Sequence, residues 1–416
     1  MKKIALLHFS YPPNIGGVEV FIKEQAKILA KIGYEITIIT GAGKEADSTI
    51  KLVEIPEIQS IYNTNKKLYE EILTQGTKSQ GFMELAKIIG EKISKELEFQ
   101  DVIIVHNMLS LTHNIPFIYA FKKYILEHQE KKVISWIHDH KYIGFDKVRI
   151  KDFSLPQDVN ELLTEKIDDI KYVAISNSLK NLVSKVTNLK SEEITVIPNG
   201  MNIKEFLEID DSVFDIFEKN SLLERFPVIL SPVNIIERKN IEFSLDILFH
   251  LKKVYPNLAY VLTGKISHHK EGEKYLEMLN KKIEKYSLKN NVIFLNEFIK
   301  RSLHKSEVHD FYSLCDIIFY FSKSENFGLP LLEATLTKTP IFLSDLLVFR
   351  EVGGENFTYV DCKNTPPENV AKNIVDFLES NKLIAMNRVV KEDYNLVHII
   401  KKQLLPLFED SNLSNS

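Results

Sequence analysis

Glu325 and Glu333 bracket the run Glu-Asn-Phe-Gly-Leu-Pro-Leu-Leu-Glu, two carboxylates around a glycine-containing turn. Residues 316–322, just before it, are a short apolar stretch of the kind that builds a buried parallel strand. A cluster of breakers follows, then Pro330 where a first helical turn starts, then Leu-Leu-Glu-Ala-Thr-Leu. The order is therefore strand, tight loop, helix. In an open α/β sheet such a loop lies at the carboxyl edge, and the helix start offers unpaired N–H groups and partial positive charge to an anion. Acidic residues in a first turn also complement the helix dipole without binding anything. Two carboxylates around an anion-binding end nevertheless suit a ligand with both phosphates and hydroxyls: N–H groups take the phosphates, and carboxylates accept from sugar hydroxyls.

Other residues carry possible chemistry. Gly16-Gly17 precedes a strongly amphipathic segment, 18–32, and glycines let backbone N–H groups approach a diphosphate closely; a loop that merely needs positive φ is the plain alternative. His138-Asp-His140 has metal-ligand residue types, yet on a strand end the two histidines share a face opposite Asp139 and no further ligand is evident, so no metal is expected.

The elements that must position these residues alternate along the chain. Strand-length apolar runs at 4–8, 35–40, 101–106, 133–138, 172–176 and 194–198, separated by helix-length segments, predict parallel βαβ units in a first domain, 1–204. A polar and aromatic stretch, 205–226, reads as a linker with some local helix. The rhythm resumes at 228–233, 259–264, 291–295, 316–321 and 340–344 in a second domain, 227–394. An amphipathic helix over 395–408 is expected to pack back on the first domain, and 409–416 to fray.

Composition bounds the function. A chain of 416 residues suits two domains, and 44% hydrophobic with 26% charged residues describes a globular protein. The net charge is −4 and neither half is basic, which gives nucleic-acid binding no electrostatic support. Two cysteines, Cys315 and Cys362, make no disulfide framework and suit a reducing compartment. Without a cleavable leader or an apolar stretch of about 20 residues, the expectation is a cytoplasmic protein, with peripheral association at the inner face of the membrane left open.

An ordered series of motifs carries a resemblance. Lys3-Ile-Ala-Leu-Leu-His-Phe-Ser10 with Gly16-Gly-Val-Glu19, Ser135-Trp-Ile-His-Asp-His140, Ala174-Ile-Ser-Asn-Ser178, Val196-Ile-Pro-Asn-Gly200, Arg238-Lys-Asn240, Leu262-Thr-Gly264, Glu325 to Glu333 and Arg350-Glu-Val-Gly-Gly354 follow one another over nearly the whole chain. The series resembles the retaining glycosyltransferases of family 4, with their E-x(7)-E element. That implies the GT-B fold, α/β with two facing Rossmann-like doubly wound domains and a C-terminal helix crossing back to the first. It also implies hexosyl transfer from a UDP- or GDP-type nucleotide sugar to a sugar, glycolipid or other hydroxyl acceptor, with retention. The resemblance makes His138, Lys239 and Glu325 catalytic. It makes Gly16, Gly17, Asn199, Asn234, Arg238, Gly264, Asn326, Phe327, Gly328, Leu329 and Glu333 donor-binding, and it turns Glu19 toward the acceptor.

No D-x-D pair is present, so no metal cofactor is expected and cations and amides would stabilise the leaving diphosphate, Lys239 foremost. The family's usual arginine five residues before that lysine is Asn234 here, and its usual glycine is Asn326, which tolerates left-handed backbone. Arg238, next to Lys239, is expected to compensate in part as a neighbouring cation in the same phosphate field, although the next residue along a helix start points elsewhere. Asn234 keeps open a catalytically decayed binding protein of this fold; a nucleotide-sugar epimerase is the other alternative. Donor sugar, acceptor and oligomeric state are not legible.

Overall fold

The computed structural model describes residues 2–14, 16–44, 47–144, 147–148, 155–265 and 270–409. The expected fraying of the tail falls mostly on 410–416, outside the described residues. The chain divides into two compact units, Met1–Asn202 with Tyr394–Ser416, and Ile203–Asp393.

In the first unit the strands are β1 (Lys3–His8), β2 (Glu35–Thr40), β3 (Lys51–Glu54), β4 (Val102–His106), β5 (Lys132–Ile137), β8 (Lys171–Ala174) and β9 (Ile194–Val196), with β6 (Ile143–Gly144) and β7 (Lys147–Val148) forming a small antiparallel pair. Among the described residues the main sheet has the order β3-β2-β1-β4-β5-β8-β9, all parallel. Its central strands read as continuous apolar runs because both faces are covered. Ala5, Leu7, Ile103 and Val105 enter one core, while Ile4, Leu6, Val102 and Ile104 enter the other. The order reverses at β1: the chain winds outward through β2 and β3, then returns to lay β4 against the other side of β1.

The second unit repeats the plan. Strands β10 (Val228–Ser231), β11 (Ala259–Leu262), β12 (Val292–Phe294), β13 (Ile317–Tyr320), β14 (Ile341–Ser344) and β15 (Thr358–Val360) form a parallel sheet of order β12-β11-β10-β13-β14-β15, reversing at β10. Two edge strands, β3 and β15, escaped the sequence reading: they are short and half exposed, so they lack the apolar continuity of the centre.

The expected linker needs correction. Within 205–226, helix Asp211–Lys219 buries Val213, Phe214, Ile216 and Phe217 in the second unit's core, and Phe217 packs on Phe311 at 5.9 Å. Ser212 donates to Glu307 at 2.7 Å, so the segment is anchored by polar contacts as well. Its amphipathic face spans too few turns to show a period in sequence.

The chain leaves the first unit after Gly200 and rejoins it at Tyr394. The two passes meet backbone to backbone, with Met201 N–H donating to Tyr394 C=O at 2.7 Å and Leu396 N–H to Met201 C=O at 3.0 Å. A Cβ on Gly200 would lie 2.7 Å from Leu396 Cα, which is why glycine is needed there. The returning segment buries Leu396, Ile399, Ile400, Leu404 and Phe408 against the first sheet. Its last carbonyls receive the ammonium groups of Lys2, Lys132 and Lys171 at 2.9, 2.7 and 3.0 Å, cations where a helix end presents partial negative charge.

A buried ion pair closes the second unit just before that return. Lys391 Nζ lies 2.9 Å from Asp316 Oδ1 and donates to Leu314 C=O at 2.7 Å, while Asp316 Oδ2 accepts from Val228 N–H at 2.7 Å. The pair ties the final helix to the starts of β10 and β13. Lys391→Ala leaves a buried carboxylate without its cation and is expected to destabilise the protein by about 3–5 kcal/mol; chemical denaturation checks it, and a loss below about 1 kcal/mol would refute that role.

Candidate functional site

The candidate site is built where each sheet reverses. In the second unit β10 and β13 are neighbours in space but distant in sequence, so the loops leaving their carboxyl ends run side by side. The first carries Asn234 and a 3-10 turn, Glu237–Lys239; the second carries residues 322–328 and feeds helix Leu329–Thr337. Lys323 N–H donates to Arg238 C=O at 2.8 Å and joins them.

Across that seam Lys239 Nζ lies 2.5 Å from Glu325 Oε1, and Arg238 lies 2.9 Å from Glu325 Oε2 while also donating to Ser324 C=O at 2.5 Å. A 3-10 turn, not an α-helix start, carries these residues, and both cations converge on one carboxylate. Burial by itself would raise the Glu325 pKa; hydrogen bonding, that from Lys239 foremost, outweighs it and holds the group below the usual carboxylate range. Lys239 also sits 5.2 Å from the Tyr320 ring centroid, and burial, then the Glu325 charge, push the Tyr320 phenol up. The result is a largely enclosed carboxylate bound by two cations, one of which, Arg238, remains substantially exposed.

The start of helix Leu329–Thr337 adjoins this cluster in sequence. Gly328 is its N-cap at φ 101°, no side chain caps it, and Pro330 occupies the first turn. The left-handed residue is thus Gly328 and not Asn326, which is absent from the positive-φ residues. A Cβ at Gly328 would meet Phe349 at 2.7 Å, a second reason for glycine. Phe327 and Leu329 are exposed on either side. Glu333 is half-buried and accepts from Tyr312 Oη at 2.8 Å. Asn234 and Gly264 pair locally: a Cβ on Gly264 would fall 2.4 Å from Asn234 Cα, and Asn234 Oδ1 accepts from Lys265 N–H at 3.3 Å. Of the motifs noted in the sequence, Arg350 is structural, forking onto Asp345 at 2.6 and 2.9 Å.

In the first unit the reversal lies between β1 and β4, and the last residues of these strands are histidines, His8 and His106. His138 follows β5, the next strand. The strand ends at Ile137, so the alternation assumed for 138–140 does not extend there. Asn107 Oδ1 accepts from the N–H groups of both His138 and Asp139, at 2.9 and 2.8 Å, and turns the backbone. The rings part company: His138 contacts His106 at 3.1 Å and Asn199 at 3.3 Å, whereas His140 faces Leu163 C=O and Tyr142 N–H, each at 3.3 Å. Among the described residues no group of three or more His, Cys, Asp or Glu is placed to hold a metal ion.

Neither Gly16 nor Gly17 has positive φ. Gly16 lies beneath the Glu19 carboxylate, and a Cβ at Gly17 would meet nothing within 4 Å, so local packing does not demand glycine at Gly17. Glu19 accepts from Ser10 Oγ at 2.6 Å and lies 3.8 Å from His8 Nε2. The hydrogen bond from His8, then that from Ser10, prevail over burial and lower its pKa to about 2. Beside it opens a pocket of about 580 Å³ lined by Ser10, Gly17, Glu19, Tyr62, Tyr69 and His113 among others. Tyr62 and Tyr69 come from 59–81, a stretch whose sequence pattern gave no sign of a role. His8, His106 and Gln25 were also missed; their one signal is a histidine ending each of two apolar strands.

Two doubly wound α/β units with charged and imidazole groups at their reversals define a protein that binds ligands at the carboxyl edges of its sheets. Residues 212–394 match the family described as glycosyl transferases group 1. It is 28% identical over 278 residues to mannosylglucosylglycerate synthase of Petrotoga mobilis, covering 60% of this chain and 61% of that protein. Identity to the protein of the same name from Thermotoga maritima is 23% over 371 residues, 84% of this chain and 82% of the relative. The O-antigen chain mannosyltransferase RfbU of Salmonella typhimurium is 27% identical over 206 residues, 48% and 49% of the two chains. The crystal structure of a glycosyltransferase from Rickettsia africae aligns over 98% of this chain and 97% of that one, at 19% identity and a TM-score of 0.38.

The buried histidines make the first unit acid-sensitive. Burial holds His106 well below the ordinary imidazole pKa and lowers His138 to about 3 and His140 to about 4. A depressed folded-state pKa means that the unfolded chain takes up protons first, so this stability is present above the unfolded pKa near 6.5 and is lost as pH falls toward the folded values. By pH 5, His140 alone should cost about 2 kcal/mol relative to neutral pH. Denaturation of wild type and His140→Gln as a function of pH checks this: the variant should show a shallower acid limb, and parallel curves would refute it.

Proposed function

We propose that the protein is a retaining, metal-independent glycosyltransferase that moves a hexosyl group from a UDP- or GDP-type sugar to a hydroxyl acceptor, in glycan, glycolipid or cell-surface polysaccharide synthesis. The names of its relatives favour mannose as the sugar. The observation that carries the reading is the convergence of Lys239, Arg238 and Glu325 at the reversal of the second sheet.

In this reading Lys239, Arg238 and the partial positive charge at the start of helix Leu329–Thr337 receive the diphosphate. The acceptor oxygen bonds to the anomeric carbon on the face from which the diphosphate oxygen departs. A phosphate oxygen takes the acceptor proton, and the two cations balance the charge that develops as the sugar–phosphate bond breaks. Glu325 accepts hydrogen bonds from sugar hydroxyls, and its ionised state suits it to that task. Glu333 holds the nucleotide ribose. Within the first unit the reading assigns His138 to a sugar hydroxyl, the Gly16-Gly17 amides to a phosphate and Glu19 to the acceptor. No residue acts as a covalent nucleophile.

No described helix is long and apolar enough to cross a membrane. We place the reaction in the cytoplasm, with peripheral contact to the inner leaflet where the acceptor is a lipid. The decayed-enzyme reading rested on Asn234; Arg238 supplies a second cation at the same carboxylate and weakens it.

Arg238→Ala should lower kcat/KM for transfer at least tenfold, about 1.4 kcal/mol of transition-state stabilisation. Its melting temperature should hardly move, because the side chain is exposed; unchanged kinetics would remove Arg238 from the site. Donor consumption separates the remaining readings: it should require a hydroxyl acceptor and persist in excess chelator. Conversion of donor alone would indicate an epimerase, and activity abolished by chelator and restored by manganese would overturn the metal-free mechanism.

A further inference from the structure

Four side chains from four separate elements of the first unit form a line of hydrogen bonds. Gln25, from helix Gly17–Ile32, is fully buried, and its Oε1 lies 3.0 Å from His106 Nε2. His106, equally buried, places Nδ1 3.1 Å from His138 Nε2. His138 Nδ1 in turn faces Asn199 Nδ2 at 3.3 Å. The rings are held in place: Trp136 stacks on His106 with centroids 5.4 Å apart, and Phe21 meets His106 and His138 edge-on at 6.0 and 5.5 Å.

With the Gln25 amide oriented as it stands, hydrogen-bond logic sets the protons along this line. An amide oxygen only accepts, so His106 Nε2 carries the hydrogen and donates to Gln25. A neutral imidazole has one N–H, which leaves His106 Nδ1 as an acceptor. His138 must then donate from Nε2, and its own Nδ1 keeps a lone pair, which receives the Asn199 N–H. Burial favours neutral rings at both histidines, as this requires. Gln25 Nε2 has no partner among the described residues, so the amide could turn over. Turning it would reverse every bond in the line and make His138 Nδ1 a donor.

We propose that Gln25 and His106 are positioning residues that fix the His138 tautomer, so that His138 Nδ1 is a neutral acceptor, filled by the Asn199 N–H in the ligand-free chain and open to a sugar hydroxyl, but not to an anionic oxygen, once Asn199 is displaced. The role of His138 toward the sugar rests on the transferase reading above; the tautomer does not. The donor's contact with His138 is then a hydroxyl that donates.

Ring-nitrogen chemical shifts of the ligand-free, histidine-labelled full chain test the tautomer directly, with His138→Gln and His106→Asn supplying assignments. Wild type should show the Nε2–H form of both rings across neutral pH. An Nδ1–H form at His138, or a mixture at either ring, overturns the proposal.

His106→Phe removes the acceptor for His138 Nε2–H, should release His138 to a tautomer mixture, and should lower kcat on the order of tenfold with donor KM changing less. His106→Asn offers an amide oxygen in place of Nδ1 and should restore most of the loss. Gln25→Leu, which removes the first acceptor, covers the case in which the phenylalanine variant fails to fold; an unchanged His138 tautomer in either folded variant refutes the positioning role. If the tautomers are as expected but no sugar is transferred by wild type, the transferase reading fails and this one stands.

Discussion

A parallel sheet wound first one way and then the other must contain one pair of neighbouring strands whose following loops travel in opposite directions. Between those loops no crossover helix covers the carboxyl edge, and polar groups gather there without being sealed into a core. This chain meets that constraint twice, between β1 and β4 and between β10 and β13. Almost every residue with chemical potential lies on one of the four loops or strand ends so created. The strand order thus determines where function is possible before any side chain is considered.

The two reversals are furnished differently. In the second unit the cluster is ionic: a carboxylate that burial would protonate stays ionised because two cations reach it. Such a cluster is self-compensating: each charge in it has an opposite charge beside it. In the first unit the cluster is mostly neutral imidazole, with Glu19 ionised at its rim. Neutral rings in a low-dielectric setting make directional hydrogen bonds without field, which suits orientation of uncharged hydroxyls.

Much of this was legible in sequence. The central strands announce themselves because burial on both faces enforces unbroken apolar runs, and the strand–loop–helix order around Glu325 follows from Gly328 and Pro330. The linker misreading, the edge strands and Arg238 share a cause: each depends on neighbours distant in the chain. Helix Asp211–Lys219 is a helix of the second core because Phe311 awaits Phe217. Arg238 joins Lys239 because Lys323 and Ser324, brought over by β13, hold its turn.

What the sequence by itself determined is the periodicity of the two α/β units, the loops where backbone geometry demands glycine or proline, and the residue types available for a sugar and a diphosphate. Tertiary structure alone decided which of those residues meet. Lys239 and Glu325 are brought together by strand order, and His8, His106 and His138 by the parallel register of β1, β4 and β5. The physical reason is that strand-forming tendency is local, whereas charge pairing, desolvation and tautomer choice depend on distances of a few ångströms between segments that the chain itself leaves dozens of residues apart.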